Sequence, residues 1–275
     1  MRSLAAIGMT REWGLAVLFG FLSTPAGAAD VREVQRTVAL DARGTVSIQT
    51  FKGSVEIETW GEPRAELTAR IEPDASCGVD PNREERVRLT EIEIDSSPGR
   101  LSLRSNYDRL KDLPQLRYQA DGFDAWCTAY PFVRYRLRIP RTARLEIEDH
   151  KSDIGVNGLH ADARIRTHKG TVKVKDHDGA LDLTTHKGNV HVEFARLAEA
   201  SRLETYKGDI EVAVPRSAGF DLDARVERSG SLDAPFPLDE RQVGRRERVY
   251  EQKVNGGGPL LTMATGSGSL KITEK

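Results

Sequence analysis

The dipeptide Lys-Gly returns along this chain in one fixed frame, and that recurrence restricts the fold more than any other feature. The copies read Thr50-Phe51-Lys52-Gly53-Ser54-Val55-Glu56-Ile57, Thr167-His168-Lys169-Gly170-Thr171-Val172-Lys173-Val174, Thr185-His186-Lys187-Gly188-Asn189-Val190-His191-Val192 and Thr205-Tyr206-Lys207-Gly208-Asp209-Ile210-Glu211-Val212. A degenerate copy runs from Asp149-His150-Lys151-Ser152 to Val156, and a last one from Thr265-Gly266-Ser267-Gly268 to Ile272. Lys151, Lys169, Lys187 and Lys207 are separated by 18, 18 and 20 residues. A period near twenty with two alternating apolar positions per copy is the mark of a solenoid.

Between the copies lie half-motifs that end at the next turn threonine: Ala163-Arg164-Ile165-Arg166-Thr167, Leu181-Asp182-Leu183-Thr184-Thr185, Leu203-Glu204-Thr205 and Leu261-Thr262-Met263-Ala264-Thr265. Each coil therefore reads strand, turn, strand, turn, with apolar and polar residues alternating at period 2. Val172, Val174, Leu181 and Leu183 are expected to point inward, and Lys173, Lys175, Asp182 and Thr184 toward water. One coil cannot bury its apolar face alone, so stability grows with stacking. Glycine after the lysine suits positive φ or close approach of stacked turns. The expected class is all-β: a parallel β-solenoid with coils of about 18–20 residues and an inserted hairpin region.

The N-terminus points to export. Arg2 and Arg11 precede an apolar run from Trp13 to Leu22, then Ser23-Thr24-Pro25-Ala26-Gly27-Ala28. That order matches a secretory signal peptide over residues 1–28, cleaved after Ala28. Glu12 sits awkwardly beside the run, and Met9 is an alternative start. The run is too short to span a bilayer, and no later segment is long and apolar enough to do so. No cysteine stands at the cleavage point, which argues against a lipid anchor. Residues 29–275 are then expected as one domain in the periplasm, at the cell surface or secreted.

Cys77 and Cys127 are the two cysteines of the sequence. In an oxidising compartment they are expected to form a disulfide. Closing a loop of that length would stabilise by about 4 kcal/mol in the chain-entropy model. Both lie in residues 61–143, which interrupt the repeat with alternating segments of their own and a hairpin turn at Ser96-Ser97-Pro98-Gly99. A second interruption, residues 233–258, is charged and ends in Gly256-Gly257-Gly258; it reads as an exposed loop or edge hairpin. Residues 259–275 return to a final coil that caps the stack. The balance of 41 basic and 42 acidic residues gives no global reason to expect nucleic acid or membrane binding. With 6% aromatic residues, stacking platforms for bases or sugars are scarce.

Several ordered elements carry a resemblance. They are the Lys/Ser-Gly-x-Val/Ile-x-Val ladder, Arg138-Ile139-Pro140 before Leu145-Glu146-Ile147, Val214-Pro215-Arg216-Ser217-Ala218-Gly219-Phe220-Asp221-Leu222, and Gly256-Gly257-Gly258 leading to Gly266-Ser267-Gly268-Ser269-Leu270. Over roughly residues 40–275 the chain resembles the bacterial adhesin-like domain family of unknown function, β-solenoids of envelope proteins. The resemblance implies an exported or surface-associated solenoid without established catalysis, and it offers no catalytic residues. The chain departs from it in carrying His-Lys where such repeats have small polar residues, and in its cysteine-containing segment.

The sharpest candidate site is the turn column. Equivalent positions of stacked coils lie about 4.8 Å apart, so His150, His168 and His186, continued by Tyr206, form one ladder beside Lys151, Lys169, Lys187 and Lys207. Two unit charges at that spacing repel by roughly 0.9 kcal/mol in water. Such a row favours an anionic partner, either an acidic envelope glycan or a phosphate-rich surface. The bland alternative is a solvated turn whose lysines splay and pair with Asp149, Asp153 and Asp209. Imidazoles in a straight row could also suit zinc, copper or nickel, but they do not converge on one point, so no metal or other cofactor is expected. Asp176-His177-Asp178-Gly179 reads as a turn between strands. No paired carboxylates, calcium-roll repeats, nucleophile elbow or phosphate loop stand out, and the chain is not expected to be an enzyme. Two alternatives stay open: a cryptic carbohydrate-active enzyme, with a cleft between the 61–143 segment and a solenoid face, and an assembly or signalling protein joined through its end strands.

Overall fold

The computed structural model describes residues 31–76, 80–120, 123–127, 129–227, 230–243 and 245–275, with the backbone alone across the strands at 116–127. The leader expected over 1–28 lies outside the described residues. So does Cys77, and with it the Cys77–Cys127 pairing; Cys127 ends a strand.

In chain order the first part comprises β1 (Arg32–Ala39), β2 (Thr45–Gln49), β3 (Lys52–Trp60), β4 (Arg64–Glu72), α1 (Arg83–Leu89), β5 (Glu91–Ser97), β6 (Arg100–Asn106), a 3-10 turn (Asp108–Asp112), β7 (Leu116–Ala120), β8 (Phe123–Cys127) and β9 (Phe132–Pro140). The regular part follows as β10 (Arg144–Glu148), β11 (Lys151–Asn157), β12 (Ala163–Lys169), β13 (Val172–Asp178), β14 (Leu181–Lys187), β15 (Val190–Arg196), β16 (Ser201–Lys207) and β17 (Ile210–Val214). The chain closes with β18 (Phe220–Glu227), β19 (Leu232–Asp233), β20 (Glu240–Val243), β21 (Glu247–Val254), β22 (Leu260–Thr265) and β23 (Leu270–Glu274).

All but the β7–β8 hairpin join one long, mostly parallel sheet, wrapped into two faces around a shared core. One face runs β5-β6-β2-β10-β12-β14-β16-β22-β18-β21-β20. The other runs β1-β4-β9-β3-β11-β13-β15-β17-β23-β19. The solenoid expected from the repeat is therefore the fold. Val172, Val174, Leu181 and Leu183 are buried as the alternation requires, and Lys173 and Lys175 are exposed. The coil of β12 and β13 buries Ala163, Ile165, Val172 and Val174. At about 1.5–3 kcal/mol per buried branched side chain, that burial outweighs any single surface ion pair of the coil, worth about 1 kcal/mol or less.

Three expectations change. The 61–143 segment, expected to interrupt the repeat, keeps its hairpin at residues 96–99 but continues the stack in space: β6 extends one face beside β2, and β9 extends the other beside β3, both parallel. The coil of β22 and β23 is not the cap. It is inserted between β16/β17 and β18/β19, so the last coil in sequence is next to last in space. All coils share one apolar pattern, so parallel pairing cannot distinguish them by sequence, and chain reversal at each end decides their order. Antiparallel strands then close both ends, β1, β4 and β5 at one and β21 and β20 at the other, which shields edges that a bare solenoid would expose. Finally, Asp176-His177-Asp178 completes β13 instead of forming a turn. A register shift there puts Asp176 at φ +51° and turns His177 fully into the core beside Phe194.

Candidate functional site

Each coil crosses from one face to the other at the Thr-x-Lys-Gly corner, and these corners stack in register. Lys52, Lys151, Lys169, Lys187 and Lys207 are successive partners along the column. The backbone bonds directly from rung to rung: Lys169 N donates to His150 O at 2.9 Å, Gly188 N to Lys207 O at 2.9 Å and Gly208 N to Ser267 O at 3.0 Å. Glycine is required by this approach. A Cβ on Gly170 would overlap the Ser152 carbonyl, and one on Gly188 the Gly170 carbonyl. Gly170 also sits at φ +127°, outside the range of ordinary side chains.

The residue before each lysine projects a ring, and the rings lie face to face. Phe51 stacks on His150 (4.7 Å between centroids, 8° between planes), His150 on His168 (4.9 Å, 3°), His168 on His186 (4.6 Å, 4°) and His186 on Tyr206 (5.0 Å, 10°). The expected ladder of His150, His168, His186 and Tyr206 thus exists, with Phe51 as its fifth member. Phe51 was visible in its motif, yet its contact with His150 depends on the spatial order of coils. Tyr107 and Tyr130 meet Phe51 edge-on and terminate the stack. At the other end the next coil supplies Gly266, which has no ring to add. Partial desolvation, the adjoining His186 and His150 and then Lys169 and Lys187 hold the His168 imidazole below the usual histidine range.

The lysines divide into two kinds. Lys52 is buried, ion-paired with Asp74 and placed 4.4 Å from the centroid of the Phe132 ring. Lys151, Lys169, Lys187 and Lys207 are exposed. None of these four has an ion-pair partner among the described residues. The acids expected to neutralise them serve the backbone: Asp149 accepts from Ser152 N at 2.8 Å and from the Thr167 hydroxyl at 2.6 Å. Asp153 accepts from Thr171 N at 2.9 Å, and Asp209 from Ser269 N at 2.8 Å. Each of these carboxylates holds successive turns together through one oxygen, and none forms an ion pair with the lysine row.

The two flat faces differ from this corner. Many of their outward charges pair across strands, as in Arg166 with Asp182 at 2.8 Å and Lys275 with Glu193 at 2.6 Å, and the His191 ring lies 3.3 Å from Glu211. A shallow groove of about 490 Å³ opens where Gly155 interrupts the side chains, between Glu56, Glu58 and Asp153 on one side and Lys173 and Lys175 on the other. Burial, then Glu58 and Asp153, push the Glu56 carboxyl upward. Glu56 and Glu58 lie on one strand, β3, and Asp153 on the next, β11. A second groove, about 510 Å³, lies beside His186 and Tyr206. No group of side chains suited to hold a metal occurs among the described residues. Among the described residues, β6 and β9 extend the two faces and form no cleft against them.

Fold and corner together define a two-faced β-solenoid with a stacked-ring, cationic edge. The chain belongs to the Toastrack family, a domain family of unknown function (DUF4097), whose profile matches residues 7–273. Among curated proteins none matches the sequence. Solved structures similar to it include a candidate cell adhesion protein from Clostridium sporogenes, 12% identical, covering 89% of this chain and 100% of that one at a TM-score of 0.43. Another is a candidate adhesin from Bacteroides fragilis, 12% identical, covering 89% and 97% at a TM-score of 0.42. A third is a candidate lipid-binding protein from Parabacteroides distasonis, 10% identical, covering 87% and 96% at a TM-score of 0.32. No helix among the described residues is long and apolar enough to cross a membrane.

Proposed function

We propose that this chain is an exported, non-catalytic binding element of the bacterial envelope that docks an extended anionic polymer along its Lys-Gly corner. One observation carries the reading: Lys151, Lys169, Lys187 and Lys207 form an exposed row without carboxylate partners, while nearby acids are committed to backbone bonds. A row of like charges about one strand spacing apart raises its own potential and is relieved by a polyanion. The ring stack keeps the row straight, since each imidazole or phenol fixes the next. The leader-like residues 1–28 support export, and the family support an envelope setting.

The test is binding of purified protein to acidic envelope polysaccharides at low and moderate salt, beside a variant with all four lysines changed to glutamate. Salt-sensitive binding that vanishes in the variant, with its circular dichroism unchanged, supports the reading. Equal binding by both proteins reduces the column to a solvated turn.

A further inference from the structure

The lysine row has a defined length as well as a charge, and a specific contact or register sets each of its ends. At one end Lys52 leaves the row, because Asp74 and the Phe132 ring hold its ammonium in the protein. At the other end the register that pairs Thr205 with Thr265 puts Ser267 in the place after Lys207. Four exposed ammonium groups without a carboxylate partner among the described residues remain, one per coil, that of Lys207 lying 5.9 Å from the centroid of the Tyr206 ring. The adjoining rings give the step of the column, 4.9 Å between centroids from His150 to His168, 4.6 Å to His186 and 5.0 Å to Tyr206.

Resting on the reading of this corner as a polyanion-binding edge, we infer that its ligand is an extended polysaccharide with one carboxylate on every sugar residue, lying along the solenoid axis over four residues. A pyranose in an extended chain advances by about one strand spacing, so such a polymer meets each lysine with one charge. A polyphosphate carries more than one charge per step and leaves part of it unmatched. A glycan with a carboxylate on every second sugar leaves alternate lysines unmatched. The ring column also decides how the sugars are held. Its faces are stacked against each other, so the edge presents ring rims and imidazole nitrogens, which hydrogen-bond hydroxyl groups. The long lysine stems reach carboxylates on alternate sides of the chain.

The experiment is calorimetric titration with oligogalacturonates of two to eight residues, with polyphosphate and hyaluronan oligomers of matched total charge as comparisons. Each added galacturonate up to the fourth is expected to tighten binding by roughly two- to five-fold, as for one exposed ion pair, with little gain beyond. Lys207→Ala is expected to move that plateau to three residues, and Ser267→Lys to five. Because the second variant extends the row, loss of folding cannot imitate its effect; were it to misfold, the Lys207→Ala plateau decides alone. Lysine-dependent binding that tracks total charge, with no plateau and no shift in either variant, overturns the one-carboxylate-per-step ligand and leaves the cationic edge standing. No binding that depends on the lysines overturns both.

Discussion

Single residues in this chain act mainly by fitting or failing to fit between stacked turns. Gly170→Ala would drive a methyl into the Ser152 carbonyl at a φ of +127°, and a loss of about 1–3 kcal/mol is expected in urea unfolding. Gly61→Ala, where nothing lies within 4 Å, should change stability by less than about 0.5 kcal/mol. His177 provides a second case. Burial in the core holds its imidazole below the ordinary range, so the unfolded chain takes up the proton more readily than the folded one. The stabilisation is fully present above the unfolded value, about 6.5, and is lost as pH falls through the lower folded value. Thermal melts of wild type are expected to shift downward on acidification, and His177→Phe, which packs against Phe194, should flatten that slope. The Lys-Gly frame made the glycine requirement legible, because close approach explains a glycine at every Lys-x corner but one, where Ser152 takes its place. The inward turn of His177 was not legible, since it follows from a one-residue register shift against β15.

At the scale of elements, coil order matters more than coil number. The coil of β22 and β23 is held between β16/β17 and β18/β19. Ending the chain at Gly258 would therefore remove the partner that joins β18 to the stack. The amides of residues 220–227 are expected to lose their protection in hydrogen exchange, together with β21, while β12 to β15 keep theirs. Protection of β18 equal to that of the full chain would show that it can dock directly on β16. A cap of the kind read from the sequence would have frayed alone. The corner column shows the same dependence. His150, His168, His186 and Tyr206 follow one another at 18, 18 and 20 residues in the same motif frame, so their alignment could be read from spacing. Phe51 and Lys52 belong to the column only because β3 lies beside β11. Lys52 is withdrawn from it only because Asp74, beyond the end of β4, reaches back to it.

For the whole molecule, many charges of the two faces pair across strands, whereas the four corner lysines stand in one row along an edge with no ion pair among the described residues. Protonating His168 adds to that edge, and desolvation, then the neighbouring imidazoles and lysines, hold it below the usual range. Affinity for an acidic polysaccharide is expected to rise as pH falls through that lowered range, even as His177 weakens the fold. His168→Gln should remove much of the gain in affinity and leave the melting trend in place; an unchanged pH profile of binding would exclude the ring column from the ligand contact. The sequence by itself determined the coil: its period, the inward set of valines and leucines, the glycine corners and the row of rings and lysines. These are local, and each follows from alternation at period 2 and from the steric demand of stacked turns. Only the tertiary structure decided which coil sits on which, which lysine is lost to Asp74, and where the row begins and ends. Coils with the same apolar pattern pair equally well in several orders. The choice among them is made by reversals and antiparallel caps at the two ends, which bring together residues far apart in the chain.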